Sequence, residues 1–453
     1  MSATDGIAVV GGGWAGSAAA LTLAQAGRKV TLFEAQRTPG GRARAVEVHG
    51  HMLDNGQHIM LGAYRETLRL MRLAGLDARH ALLKLPLQMR YPPGQGMDFA
   101  APRLPAPLHL LGALLRARGL GREDKLALAR FSSTARWMGW TLHTDCSVAE
   151  LLDRFDQTAR INRLMWHPLC LAALNTPPER ASAQVFLNVL RDSLGARRAA
   201  SDMLLPRTDL TSAFPAAALN VVQSRGGAVH CATRVDRVAP ASGGGWQVDA
   251  SGSAVGGALS AQYAGVVLAV PPGAAAALLD PLAAAVEAVA ELAAQLRAFD
   301  YEPITTCYFQ FPPAMRLARP FFALEDAPAH GHFAQFVFDR GHVDPGHAGL
   351  LAAVISCSAD AAALPQEQLA ASTAAQLAAA FGDPALAQPL WSRVITEKRA
   401  TFACTPGLAR PANATALPGL VLAGDHTASA YPATLEAAVR SGVEAAKLLA
   451  ALR

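Results

Sequence analysis

An apolar run, Ile7-Ala8-Val9-Val10, passes straight into Gly11-Gly12-Gly13-Trp14-Ala15-Gly16. Four such residues are enough for a strand buried on both faces in a parallel sheet. The glycines fit G-x-G-x-x-G at Gly11, Gly13 and Gly16. The first permits a tight turn, the second lets backbone approach a pyrophosphate, and the third lets a helix pack closely on the strand. Residues 17–25 are rich in Ala and Leu and predict a helix whose N-terminal amides and dipole face the phosphates. Gly27 ends it, and residues 29–33 predict a second strand closing on Glu34. An acid about 20 residues past the glycines is placed to accept hydrogen bonds from a ribose and to repel a 2′-phosphate. Trp14 and Ala15 inside the turn, and Ala35 after the acid, join this expected binding set. Taken alone, the pattern fits either NAD or FAD.

The next turn decides between them. Thr38-Pro39-Gly40-Gly41-Arg42-Ala43 offers further amides and a cation to the same pyrophosphate. This stretch resembles the start of the FAD-dependent amine oxidase and phytoene desaturase superfamily. The other end agrees: Gly419-Leu420-Val421-Leu422-Ala423-Gly424-Asp425 reads as strand and turn, and Tyr431-Pro432-Ala433-Thr434-Leu435-Glu436 opens a helix. The resemblance implies that Gly424 and Asp425 meet the ribityl and pyrophosphate region. It also implies that the helix begun at Ala433, Thr434 and Leu435 points at the isoalloxazine, and that Val235, in the strand that residues 229–238 predict, sets its backbone against adenine. Noncovalent FAD is the expected cofactor, because no Cys or His lies in a recognisable attachment motif.

Two longer stretches carry a closer resemblance, to the hydroxysqualene dehydroxylases, squalene-associated FAD enzymes of hopanoid biosynthesis. One is Leu53-Asp54-Asn55-Gly56-Gln57-His58-Ile59-Met60-Leu61-Gly62-Ala63-Tyr64. The other runs from His167-Pro168-Leu169-Cys170 through Asn175-Thr176-Pro177-Pro178-Glu179 to Leu190-Arg191-Asp192-Ser193-Leu194. The resemblance implies an α/β fold: a discontinuous Rossmann-type FAD domain at 1–85, 215–275 and 390–453. An α+β, largely helical substrate domain is inserted at 86–214 and 276–389. It places Gly56, Gln57 and His58 beside the flavin and implies reductive removal of the hydroxyl of hydroxysqualene. A carotenoid-type desaturase or amine oxidase, moving hydride the other way, uses the same FAD motifs. A non-catalytic scaffold would be free to lose them.

Asp54 and His58, four residues apart, are the first candidates for a shared proton and an acid role, with Lys398 behind them. The competing expectation is that Asp54 caps the following helix and His58 only packs on the flavin. Asn175 and Glu179 are expected to bind backbone near Pro177-Pro178, and His167 and Cys170 to line a wall or the core. No metal-ligand spacing is evident, and six singly placed cysteines predict a reduced, cytoplasmic setting.

Composition bounds the partners. Charged residues make up 17% of 453 and the formal charge is +5, too mild an excess to imply nucleic acid. The first strand starts too close to Met1 for a signal peptide, and no apolar run reaches the roughly 18–20 residues of a membrane span. Residues 105–120 combine Leu108, Leu110, Leu111, Leu114 and Leu115 with Arg116 and Arg118. Arg122, Lys125, Arg130 and Arg136 follow. Such a helix suits an anionic bilayer surface, which predicts a peripheral protein on the inner face of the cell membrane. No second dinucleotide motif identifies the reductant of the flavin.

Overall fold

The computed structural model describes residues 6–451. Its centre is a five-stranded parallel sheet in the order Ala228–His230, Val30–Phe33, Ile7–Val10, Gly265–Leu268, Leu420–Leu422. The three strands Ile7–Val10, Gly265–Leu268 and Leu420–Leu422 are apolar throughout because both faces are covered, and Ile7, Val9, Val267 and Leu422 are fully buried. The helices Trp14–Gln25 and Leu435–Ala450 pack against each other beside this sheet. Gly442 permits the contact, since a Cβ there would lie 2.1 Å from the Ala15 carbonyl oxygen. The two ends of the chain are thereby brought together at the first glycine turn. This is the expected α/β, Rossmann-type architecture.

A second five-stranded sheet is antiparallel, in the order Phe321–Ala323, Phe336–Asp339, Leu350–Ser356, Tyr301–Gln310, Trp391–Phe402. A helix, Gln366–Phe381, shares a buried apolar cluster with it through Leu369 and Leu377. Helices between Leu108 and Ser193 supply most of the remaining layer. A small sheet joins Met60–Leu61 and Leu82–Leu85 to the two sides of Met203–Pro206.

Three elements differ from expectation. Residues 229–238 are not one strand: Ala228–His230 ends the parallel sheet, and Thr233–Pro240 starts a separate antiparallel one. Ala232, at φ 50°, makes the corner between them. The strand Trp391–Phe402 falls in the stretch assigned to the FAD domain, yet it pairs along its length with Tyr301–Gln310 in the second sheet. The helix expected at 105–120 is shorter, Leu108–Arg116. Pro105 and Pro107 precede its first residue, and Ala117 leaves helical geometry at ψ 127°.

Candidate active site

The first glycine turn separates what the protein needs from what a ligand needs. Gly11 sits at φ 104°, and a Cβ there would meet the Ala269 carbonyl oxygen at 2.4 Å. A Cβ on Gly16 would lie 1.9 Å from the Gly11 carbonyl oxygen. Protein packing alone dictates both. Gly13 is different: its φ of −69° suits any residue, and the nearest atom to an added Cβ is Gly41 Cα at 3.8 Å. The open side of Gly13 is the approach that a pyrophosphate requires, at the N-terminus of the Trp14–Gln25 helix. Gly40 and Gly41, at φ 122° and 63°, form the opposite lip. The Gly40 amide donates to the Gly12 carbonyl at 2.9 Å and ties the two turns together.

Glu34 ends its strand buried. Its carboxylate accepts the Gly12 amide at 2.6 Å and the Gln36 amide at 2.7 Å, one bond to each oxygen. That fixes its direction and leaves lone pairs for ribose hydroxyls. Ala35 is exposed and, with Gln36, Arg37, Arg44 and Ala232, lines a cavity. Val235 lies buried in the strand whose first amide, at Thr233, donates to the Glu34 carbonyl.

Arg42 joins the two ends of the site. Its guanidinium donates to Asp425 at 2.5 Å and to the Ala400 carbonyl at 3.0 Å. Burial acts to raise the pKa of Asp425, but Arg42 and His426 outweigh it and hold the carboxyl well below the usual range. Gly424 leaves room for the buried His426 ring, which a Cβ would overlap at 2.3 Å and force to move. Thr434 caps the last helix, accepting the Ala437 amide at 3.2 Å, with Ala433 and Leu435 on either side. The chain thus brings Gly11, Gly13, Trp14, Ala15 and Gly16 together with Gly40, Gly41, Arg42, Gly424 and Asp425. An FAD pyrophosphate and ribityl chain fit that set.

The candidates for proton transfer are not paired with one another. Asp54 accepts the Leu210 amide at 2.7 Å, at the start of the short helix Leu210–Ala213. Burial raises its pKa to about 7, against the opposing pull of Arg340 and the Leu210 amide. The His58 Nδ1 lies 2.9 Å from the Gly56 carbonyl oxygen, which can only accept, so Nδ1 carries the hydrogen. Nε2 of the neutral ring is then an acceptor, and burial holds the pKa of His58 below its ordinary value. Lys398 is exposed on the Trp391–Phe402 strand.

Around them is a polar chain that the sequence did not announce. Tyr308 donates to the Asp54 carbonyl at 2.7 Å, Gln57 Nε2 donates to the Tyr308 hydroxyl at 2.7 Å, and buried Arg340 donates to Gln57 Oε1 at 3.0 Å. This chain fastens the Asp54–His58 loop to the second sheet. Thr306 faces the same way as Tyr308 along its strand, and its hydroxyl, 3.8 Å from an added Gly56 Cβ, is buried without a partner. Asn175 is structural: it bonds Thr401, the Glu302 carbonyl and the Cys357 amide. Asp192 accepts the Tyr431 hydroxyl at 2.5 Å, linking the helical region to the C-terminal turn. Only the density of polar residues in 54–58 hinted at such a network.

Comparison with known proteins agrees with this geometry. The family model for flavin-containing amine oxidoreductases matches residues 14–450. A hydroxysqualene dehydroxylase from Rhodopseudomonas palustris is 30% identical, with 98% of each chain covered. One from Sinorhizobium fredii is 26% identical over 97% of each. Among solved structures, a putative protoporphyrinogen oxidase from Exiguobacterium superposes with a TM-score of 0.67 at 17% identity, covering 98% of both chains. The chain is an FAD-dependent oxidoreductase and belongs to the flavin-containing amine oxidoreductases, within their hydroxysqualene dehydroxylase family.

Proposed function

We propose that this enzyme removes the hydroxyl of hydroxysqualene reductively, giving squalene. The observation that carries this reading is the similarity along nearly the whole chain to proteins named for that activity, including the substrate-side stretches and not only the FAD motifs. Reduced FAD, when bound, supplies the hydride that replaces the departing oxygen.

The protein's own tasks are to hold the cofactor, supply a proton and exclude water. Hydroxide leaves poorly, so an acid must protonate the substrate oxygen as the C–O bond breaks. Asp54 is the first candidate, because at a pKa of about 7 it still carries a proton in neutral solution. The Leu210 amide occupies Oδ1, which leaves Oδ2 to carry that proton. His58 comes second, since it must first be protonated at Nε2, and Lys398 third. An apolar surround limits recapture of the substrate cation by water. Leu435 opens a helix whose N-terminal dipole favours negative charge on the cofactor. The enzyme works as a peripheral protein at the bilayer where a C30 hydrocarbon dissolves. Its reductant is a separate molecule.

The test is a single turnover without oxygen, using flavin reduced with a deuteride donor. Squalene should carry one deuterium at the carbon that lost oxygen, and Asp54→Asn should slow that step at unchanged FAD occupancy. Unlabelled squalene, or turnover by oxidised enzyme without reductant, sinks the reductive reading. Normal turnover in Asp54→Asn sinks only the choice of acid.

A further inference from the structure

Among the described residues, ten large apolar side chains are exposed, and six of them fall between residues 104 and 137. In the Leu108–Arg116 helix, Leu108, Leu111 and Leu115 recur at helical spacing and form one outward stripe, with Leu115 69% exposed. Leu104 extends the stripe just before the helix. The inward side carries His109 and Ala113, both fully buried, with Leu110 and Leu114 half-buried. The usual amphipathic arrangement is therefore reversed, with leucines facing solvent. The next helix, Arg122–Trp137, continues the surface. Leu126 and Trp137 are eleven residues apart, close to three full turns, so they share one face about 16 Å apart. Trp137 is 87% exposed. Lys125 Nζ donates to the Leu115 carbonyl at 3.1 Å and holds the two helices end to end.

Charge selects the occupant. Residues 103–137 contain seven basic and two acidic side chains, an excess of five that equals the net charge of the whole chain. Arg116, Arg118, Arg122, Arg130 and Arg136 are all exposed around the apolar stripe. A second copy presenting the same patch would bring like charges together. An anionic bilayer accepts both features, taking the leucines and Trp137 below its headgroups and the arginines among them. We infer that this two-helix face, wider than the single helix suggested by sequence and carried by Leu108, Leu111 and Leu115 rather than by Leu110 and Leu114, is the docking surface for an anionic lipid bilayer.

The face also has a position suited to a lipid-dissolved substrate. Beneath the helix, His109 lies in the field of Arg198 and Asp202. The Asp202 carbonyl accepts the Gly62 amide at 2.9 Å, and Met203–Pro206 pairs with Met60–Leu61, immediately after the Gly56–His58 loop. The docking face thus backs onto the chain that carries the flavin loop. This last step rests on the proposed substrate; the docking surface does not.

The experiment is sedimentation of the FAD-loaded protein with vesicles of equal parts phosphatidylglycerol and phosphatidylcholine, and with phosphatidylcholine alone. The native protein should sediment with the anionic vesicles, less so in high salt and less with the neutral ones. Combining Leu111→Ser, Leu115→Ser and Trp137→Ser should weaken binding at least about tenfold while FAD absorbance is retained. A separate variant, Arg116→Glu with Arg130→Glu, should lose the preference for anionic vesicles. Three results overturn the inference: native protein left in the supernatant, serine variants that bind as well as native, or light scattering that finds a native dimer dissociated by them. Because none of these readouts uses turnover, failure here is distinct from failure of the dehydroxylation reading.

Discussion

Asp54 is held away from its ordinary protonation behaviour by its surroundings, which makes its energetics measurable. Its pKa rises from 3.8 to about 7, mainly through burial. Between those values the folded protein binds a proton that the unfolded chain has released. The contribution of Asp54 to stability is therefore fullest below about pH 4 and falls as pH rises through the window to 7, by up to about 4 kcal/mol for three pKa units. Asp54→Asn keeps an oxygen to accept the Leu210 amide but has nothing to titrate. The variant should lose the decline between pH 4 and 7. At pH 8 it should be more stable than native by on the order of 1–3 kcal/mol, a gain trimmed because Arg340 loses a nearby anion. Urea unfolding at several pH values measures this, and an unchanged slope with pH would remove the assignment of a raised pKa to Asp54.

At the scale of the element, the strand–turn–helix from Ile7 to Gln25 makes a sharper statement than its motif does. Gly16 and Gly13 occupy the same pattern for different reasons. Gly16→Ala drives a methyl to 1.9 Å from the Gly11 carbonyl oxygen and should unfold or distort the turn even without ligand. Gly13→Val meets open space, apart from Gly41 Cα at 3.8 Å, and should fold normally while yielding a colourless protein. Circular dichroism and flavin absorbance of the two variants separate the cases, and a folded, yellow Gly13→Val would count against the pyrophosphate approach. This element was legible in sequence because its constraints are local: a turn, a close approach and the end of a strand, all within about 30 residues. The corner at Ala232 was not, since nothing in the residues of 229–238 marks a change of sheet. The Tyr308–Gln57–Arg340 chain was illegible for another reason. Tyr308 meets Gln57 only once the strand Tyr301–Gln310 has found its register against Leu350–Ser356 and Trp391–Phe402, both of which lie tens of residues further along the chain. Asp54 shows the boundary well. Its presence could be read, but not its partner: it holds the Leu210 amide instead of capping the following helix, Arg65–Leu73, and its proton affinity depends on burial that only the assembled fold supplies.

For the whole molecule, Arg42 acts as a clamp between the chain's ends. Arg42 follows the second glycine turn, Asp425 follows the last strand of the parallel sheet, and their ion pair spans 383 residues of sequence. Arg42 also holds the Ala400 carbonyl on the final strand of the second sheet, so one side chain touches both sheets' supports. Asp425 is held below the usual carboxylate range in the fold and returns to its ordinary value of about 3.8 on unfolding. Its contribution is therefore present above about pH 4 and lost as pH falls below that. Arg42→Ala strands a buried carboxylate and should cost the FAD-free protein about 1–3 kcal/mol at pH 7, a figure reduced because Arg42 itself is partly exposed. The native protein should gain about 2.7 kcal/mol of stability when free FAD reaches 100 times its dissociation constant. The variant should gain less at the same FAD concentration, because the cation expected at the pyrophosphate is gone. Unfolding curves with and without FAD, for both proteins, resolve the two effects. Equal FAD-free stability would mean that the ion pair does not fasten the ends, and an equal gain from FAD would mean that Arg42 is not at the cofactor.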